Sequence, residues 1–466
     1  MYYNVAIVGA GPAGIFAAYE LIKENPNLKI VMIEQGKDIY SRKCPLSDGK
    51  LQQCIHCNPC AIMRGFGGAG AFSDGKYNFT TKFGGWLNDY LSDKEVMDLI
   101  EYVDTVNYEF MPNTNTNENK YYPERHTTRN SKIKAEALKY DLHLLDASVR
   151  HLGTENNLSI LKNMYEYLKD KIIMMFNTTV KTIREVDGNF IIQTIDDNCY
   201  KSQYLIAAPG RAGAEWFSKQ CSELGFKQIN NQVDIGVRVE LPATVWKNIT
   251  DEVYEAKLMY RTKKYNDLVR TFCMNPNGYV VEENTDGIVT VNGHSFDGED
   301  LGSDNTNFAL LVSNTFTEPF NEPHQYGKRI ASFSNMLGGG IIVQRFGDLI
   351  NGRRTNDRRL MKSFTKPTLK ATPGDLSLVL PKRHLDNIIE MIYALDNIAP
   401  GTANADTLLY GVEVKFYSAR LKLTNELETE KTNMFAIGDG AGITRGLSQA
   451  SASGIHVART ITKRIK

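Results

Sequence analysis

Apolar positions along this chain follow two periods, and the switch between them marks out the elements. Residues 5–8 form a continuous apolar run of the buried-strand type, residues 12–23 keep a helical period, and a second apolar strand ends on Glu34. Helical patterning returns at 86–105, 131–139 and 158–170, the last with Leu158, Leu161, Met164, Tyr165 and Leu168 on one stripe. Two strand-like segments separated by Asp187-Gly188 follow, then an apolar strand broken at Pro209-Gly210. From about 230 to 381 the text is rich in strands and turns. The chain closes with a short buried-type strand at 434–437 and a helix from Gln449, whose first turns are Ala, Ser and Gly.

This order of elements predicts an α/β protein: a discontinuous Rossmann-like dinucleotide-binding domain with an inserted strand-rich α+β substrate or cap domain. The expected boundaries are 1–80 for the first part of the binding domain, 81–150 for a helical and loop excursion, and 151–228 for the second part. The cap domain is expected at 229–395 and the last part at 396–466. The Asn- and Thr-rich stretch inside the excursion reads as exposed.

The first strand, helix and strand carry a GxGxxG array, Gly9, Gly11 and Gly14, and an acid about 20 residues on, Glu34. Gly9 allows the turn out of the strand, Gly11 admits a pyrophosphate to the backbone, and Gly14 lets the helix lie close on the sheet. Pro12 suits the first helical turn, and with Ala13 it sets the helix N-terminus against the phosphates. Glu34 is placed to accept from a ribose hydroxyl, which favours FAD or NAD over NADP. The glycine-rich run at 65–76, with Gly67, Gly68, Ala69 and Gly70, offers backbone amides to a flat or anionic ligand.

Composition narrows the classes. The chain of 466 residues has 54 basic and 54 acidic side chains, so no bulk attraction to nucleic acid or membrane is expected. No apolar run approaches the ~20 residues of a membrane span, and no signal peptide is read, so a cytoplasmic protein is expected. Of seven cysteines, Cys44, Cys54, Cys57 and Cys60 are crowded in a CxxCxxC run with a preceding Cys-Pro. They are the candidate four-thiolate site for zinc or an iron–sulfur cluster, against the plain reading of free or disulfide-forming thiols. Cys199, Cys221 and Cys273 read as small buried hydrophobes. Polar candidates to orient a substrate are His294, Arg345, Lys415 and Tyr417, with Arg238 beside them.

The N-terminal fingerprint, the strand end at Ala208 to Gly210 and the AIGDGAG run at 436–442 together resemble the glutathione-reductase-type FAD superfamily. That resemblance implies bound FAD, with Val180 beside the adenine, Asp439 on the ribityl chain, and Gly440 and the following helix at the pyrophosphate and isoalloxazine; Gly438, in the same turn, is a further cofactor-binding candidate. A closer likeness is to poorly characterised bacterial FAD-dependent dehydrogenases, through CP, CxxCxxC, GGAGAFSDGK and the EVKFYSAR block at 413–420. It covers nearly the whole chain.

A second dinucleotide fingerprint is missing from mid-chain, so NAD(P)H is expected only as a transient donor. The expected function is an FAD-dependent dehydrogenase or reductase moving hydride or electrons between flavin and a small organic substrate, with an electron-carrier protein as a candidate partner. A flavin monooxygenase and an FAD-containing redox or metal sensor are the alternatives. An RNA-modifying flavoenzyme is disfavoured by the zero net charge.

Overall fold

The computed structural model describes residues 2–465 apart from 46, 47, 49, 51–54, 56, 113–121, 128, 230, 254, 286, 296–301, 318, 321, 416, 417 and 419. Two compact units share the chain. The first comprises residues 1–125, 149–231 and 417–466, and the second 126–148 and 232–416.

The first unit is built on β1 (Tyr2–Val8), α1 (Pro12–Glu24) and β2 (Ile30–Ile33). β1 pairs in parallel with β2 on one side and with the strand Cys199–Ala207 on the other. Cys199–Ala207 in turn pairs in parallel with Met434–Ala436, and Ile173–Met175 extends the sheet beyond β2. The antiparallel strands Val180–Val186 and Asn189–Thr194 complete seven strands. The near-continuous burial of β1 and β2 is what a parallel sheet covered on both faces requires.

Two glycines let the layers close. A Cβ on Gly9, whose φ is +105°, would lie 2.1 Å from the Ala208 carbonyl oxygen, and one on Gly14 would lie 2.1 Å from the Gly9 carbonyl oxygen. The last helix, Leu447–Ile465, packs against α1 at the small residues expected from the sequence, and a Cβ on Gly454 would reach within 2.2 Å of the Ala13 carbonyl oxygen. The helical expectation at 86–105 resolves into Asp93–Glu109, started by a capping box: Glu95 N donates to Ser92 Oγ and Ser92 N to the Glu95 carboxylate. The stripe expected at 158–170 lies in a helix that begins five residues earlier, Gly153–Lys169.

The second unit is organised by an eight-stranded sheet in the order Thr372–Pro373, Ile342–Arg345, Leu408–Lys415, Val233–Pro242, Asn305–Asn314, Leu268–Asn275, Leu258–Arg261, Leu142–Leu144. Its limits differ from the expected 229–395. Residues 126–148, read as part of an excursion, supply the edge strand Leu142–Leu144, and residues past 395 supply Leu408–Lys415 beside the central strand. The helix Pro323–Gly338 falls in a stretch read only as strands and turns.

The helix Lys382–Asp396 carries His384, which is 4% exposed, lies beside the Tyr326 ring, and has no hydrogen-bond partner on either ring nitrogen among the described residues. Burial lowers its pKa from 6.5 to about 4. Because the folded value lies below the unfolded one, the unfolded chain takes up a proton that the folded chain refuses. The associated stability is complete above about pH 6.5 and drains away as pH falls toward 4, by about 3 kcal/mol. Thermal unfolding of His384→Leu across that window should give a flatter pH profile than the parent; parallel profiles would contradict this assignment.

Candidate functional site

The carboxyl ends of β1, β2, Cys199–Ala207 and Met434–Ala436 converge on one cleft of the first unit, the edge at which open α/β sheets take their ligands. Backbone bonds tie these ends together: Gly9 N to Ile33 O, Ala208 N to Val8 O, and Ile437 N to Ala207 O. The cleft has a volume of about 440 Å³, within the usual range for small-molecule and cofactor sites.

Twelve of the expected cofactor residues line it: Gly9, Gly11, Pro12, Ala13, Glu34, Gly68, Ala69, Gly70, Val180, Gly210, Gly438 and Asp439. Gly14, Gly67 and Gly440 do not. Their hydrogens instead face protein, and a Cβ on Gly440 would sit 2.4 Å from the Gly210 carbonyl oxygen.

At Gly11 the opposite holds. Nothing lies within 4 Å of where its Cβ would be, and its φ of −77° suits any L residue. The glycine thus keeps open a space that the protein itself does not fill. The first-turn amides of α1 have no intrahelical partners and give that end of the helix its positive character.

Glu34 is more committed than the sequence suggested. Its Oε2 accepts from Ala10 N at 2.8 Å, and its Oε1 accepts from Gly36 N at 2.8 Å and Gly65 N at 2.9 Å. A carboxylate has about four acceptor positions, so roughly one remains for a ribose hydroxyl. Asp439 stands across the cleft. Its Oδ1 accepts from Thr444 Oγ1 at 2.8 Å and from Gly446 N at 3.3 Å, and Arg211 Nε lies 3.9 Å from its Oδ2. Burial raises the pKa of this carboxyl from its ordinary value, against the pull of Arg211, Thr444 and Gly446.

Several lining residues escaped the sequence reading. Ser73, Asp74 and Lys76 come from the same GGAGAFSDGK run whose glycines were singled out. Lys76 Nζ is 3.0 Å from Asp74 Oδ2, and His151 Nε2 is 4.0 Å from the same oxygen. Arg64, Arg211 and Trp216 also line the cleft. The polar half of the SDGK run was the available signal for the first group; nothing local marks Arg64 or Trp216.

The segment that follows Cys60 is held by an arginine. Arg42, 4% exposed, donates from Nε to Ala61 O at 2.9 Å, from Nη1 to Phe66 O at 2.6 Å, and from Nη2 to Ile62 O and Gly68 O at 2.8 and 2.9 Å. Its guanidinium lies 4.8 Å from the centre of the Phe72 ring. Burial lowers its pKa to about 10, which leaves it charged at neutral pH.

Cys44, Cys57 and Cys60 are free thiols, and Cys54 lies outside the described residues. Among the described residues no group of three His, Cys, Asp or Glu side chains is placed to hold a metal ion. Cys221 is buried, and burial pushes its thiol up to about 12. Cys199 corrects the expectation of a buried hydrophobe: it is exposed, because it opens its strand at a turn. Cys273 is half-buried at a bulge with a φ of +46°.

In the second unit the polar candidates are not assembled into one site. Arg345 pairs across the sheet with Leu408, whereas Lys415 is seven residues further along that same strand, about 23 Å away. Arg345 is engaged by Asp406 at 2.9 Å and Asp348 at 3.6 Å. Lys415 Nζ lies 2.9 Å from Glu413 Oε1. His294 ends the hairpin strand Ile288–His294 opposite Tyr279 and is half-buried. Tyr417 lies outside the described residues.

Arg238 is fully buried and meets the Glu413 carboxylate twice, Nε to Oε2 at 2.9 Å and Nη2 to Oε1 at 3.0 Å. Asn307, Asn292 and the Cys273 carbonyl accept its other protons. These are the bonds of a saturated ion-pair network.

Two family models match the chain. Pyridine nucleotide-disulphide oxidoreductase matches residues 3–215, and FAD-dependent protein, C-terminal domain-like, matches residues 232–416. They support an FAD-dependent oxidoreductase, with the Rossmann-like fold of the first unit as its FAD-binding part.

An uncharacterized protein of Clostridium beijerinckii is 27% identical over 490 residues, spanning 98% of this chain and 80% of its own. Among solved structures, 2,6-dihydroxypyridine-3-hydroxylase from Arthrobacter nicotinovorans is similar with a TM-score of 0.41 and 10% identity, over 99% of this chain and 83% of that one. L-alpha-glycerophosphate oxidase from Mycoplasma pneumoniae with FAD bound gives 0.40 and 11%, over 99% and 95%. The C. beijerinckii relative carries the match along nearly the whole sequence.

Proposed function

We propose that this FAD-dependent oxidoreductase is a dehydrogenase or reductase that exchanges hydride with a small organic substrate. The open space at Gly11, in a cleft gathered from distant parts of the chain, supports the reading best. The residues fit FAD: Gly11 and the α1 amides would take the pyrophosphate, Glu34 the ribose, and Asp439 the ribityl hydroxyls. When bound, the flavin supplies the redox chemistry itself, and the protein supplies position and electrostatics. The reading asks for no metal at the cysteines, since Arg42 ties the segment after Cys60 to the glycine run. NAD(P)H would serve as a transient donor, because the sequence lacks a second fingerprint.

Purified protein should be yellow and release FAD on heating, and an organic substrate should bleach the flavin anaerobically. Gly11→Val is the sharpest variant, because its side chain enters space that no protein atom occupies. Its unfolding midpoint without cofactor should match the parent's, while FAD affinity falls by ~100-fold or more. A variant that binds FAD as tightly as the parent, or a parent that cannot be reconstituted with FAD, would sink the proposal.

A further inference from the structure

The balance of 54 basic and 54 acidic residues hides a local imbalance. Residues 351–370 hold seven Lys or Arg and a single acid, Asp357. Arg353 and Arg359 lie 3.6 and 3.8 Å from the buried Asp348. Arg354, Arg358, Lys362 and Lys370 are exposed and make no ion pair among the described residues.

Two large apolar side chains lie among these cations in the sequence. Phe364 is 90% exposed and Met361 is 72% exposed. The outward position of Phe364 is imposed by its backbone. Ser363 and Thr365 on either side are buried, and Phe364 N donates to Asp406 Oδ2 at 3.1 Å. Lys366 Nζ also donates to the Met361 carbonyl at 3.0 Å, bracing the end of the short helix Asp357–Met361. The pinned turn thus holds a phenylalanine and a methionine in water.

We propose that this turn docks on an anionic lipid surface, with Phe364 and Met361 entering the interface and Arg354, Arg358, Lys362 and Lys370 facing the headgroups. Clustered cations beside protruding apolar side chains are the pairing that holds proteins reversibly at charged bilayers. The contact is a peripheral one: among the described residues no helix is long and apolar enough to cross a membrane. This departs from the expectation of no membrane partner, which rested on the charge total and on the lack of a spanning apolar run. Single-stranded nucleic acid also pairs cations with aromatic rings, but a base stacks on a ring and gains little from Met361. A bilayer uses both side chains.

The test is co-sedimentation of the full-length protein with phosphatidylcholine vesicles, with and without phosphatidylglycerol, at low and high salt. Binding should require phosphatidylglycerol and fade at high salt. Phe364→Ser and Met361→Ser should each weaken it, the first by at least about tenfold. Arg354→Gln and Arg358→Gln should each weaken it about fivefold. In Phe364→Trp, tryptophan emission should move to the blue on adding phosphatidylglycerol vesicles.

Absence of vesicle binding, or an unmoved emission in Phe364→Trp, overturns the proposal. So does binding that survives Phe364→Ser with Met361→Ser. A single-stranded RNA oligonucleotide that strips the protein from vesicles and binds Met361→Ser as well as the parent would assign the turn to nucleic acid instead.

Discussion

Arg42→Met should be among the most damaging single substitutions in the first unit. Four backbone carbonyls, those of Ala61, Ile62, Phe66 and Gly68, accept from one buried guanidinium. Methionine fills much the same volume and donates nothing. With buried acceptors costing about 1–3 kcal/mol each when unpaired, and partial relief as the loop relaxes, a loss of about 3–6 kcal/mol is expected. The loop ends on Gly68, which lines the cleft, so cofactor retention should fall with stability. Hydrogen exchange should localise the effect, with faster amides across 60–72 and unchanged ones in α1. Arg42→Lys should rescue little, because one ammonium cannot reach four carbonyls from the geometry of a planar fork. Unchanged exchange in that loop would show that something other than Arg42 holds it.

Arg238→Met should be comparably severe in the second unit. The substitution leaves Glu413 fully buried with only Lys415 as a charged partner among the described residues. Breaking a buried pair in this way costs about 3–5 kcal/mol, far more than the pair contributes over an apolar replacement. The double variant Arg238→Met with Glu413→Leu should therefore be more stable than Arg238→Met alone, an inversion measurable by urea unfolding. If the second substitution adds to the first, the ion pair is not the source of the loss. Arg238 also explains a glycine, since a Cβ on Gly293 would lie 2.2 Å from its Nη1.

The part of the cleft lined by the glycine fingerprint was legible because its signals are local. Gly9, Gly11 and Glu34 are tied by one strand, one helix and one strand, and Asp439 sits in a turn of fixed form. The same locality explains what was missed. Arg42 binds carbonyls, which every residue has, so no side-chain pattern announces it. The edge strand Leu142–Leu144 is three residues long, too short to show a period. Arg345 and Lys415 looked like candidates for substrate work because a charged residue in an apolar strand reads alike whether it meets a ligand or a buried carboxylate. Only their partners, Asp406 and Glu413, tell the two apart.

The order in which the chain is synthesised gives the parallel sheet a further meaning. β1 and α1 are made well before the strand Met434–Ala436 that closes one side of Cys199–Ala207 and the helix Leu447–Ile465 that covers α1. All segments of the second unit, 126–148 and 232–416, have left the ribosome before either arrives. A nascent chain that has emerged from the ribosome only as far as residue 430 can therefore complete the later unit while the earlier one stays open, its α1 surface uncovered and in need of protection from aggregation.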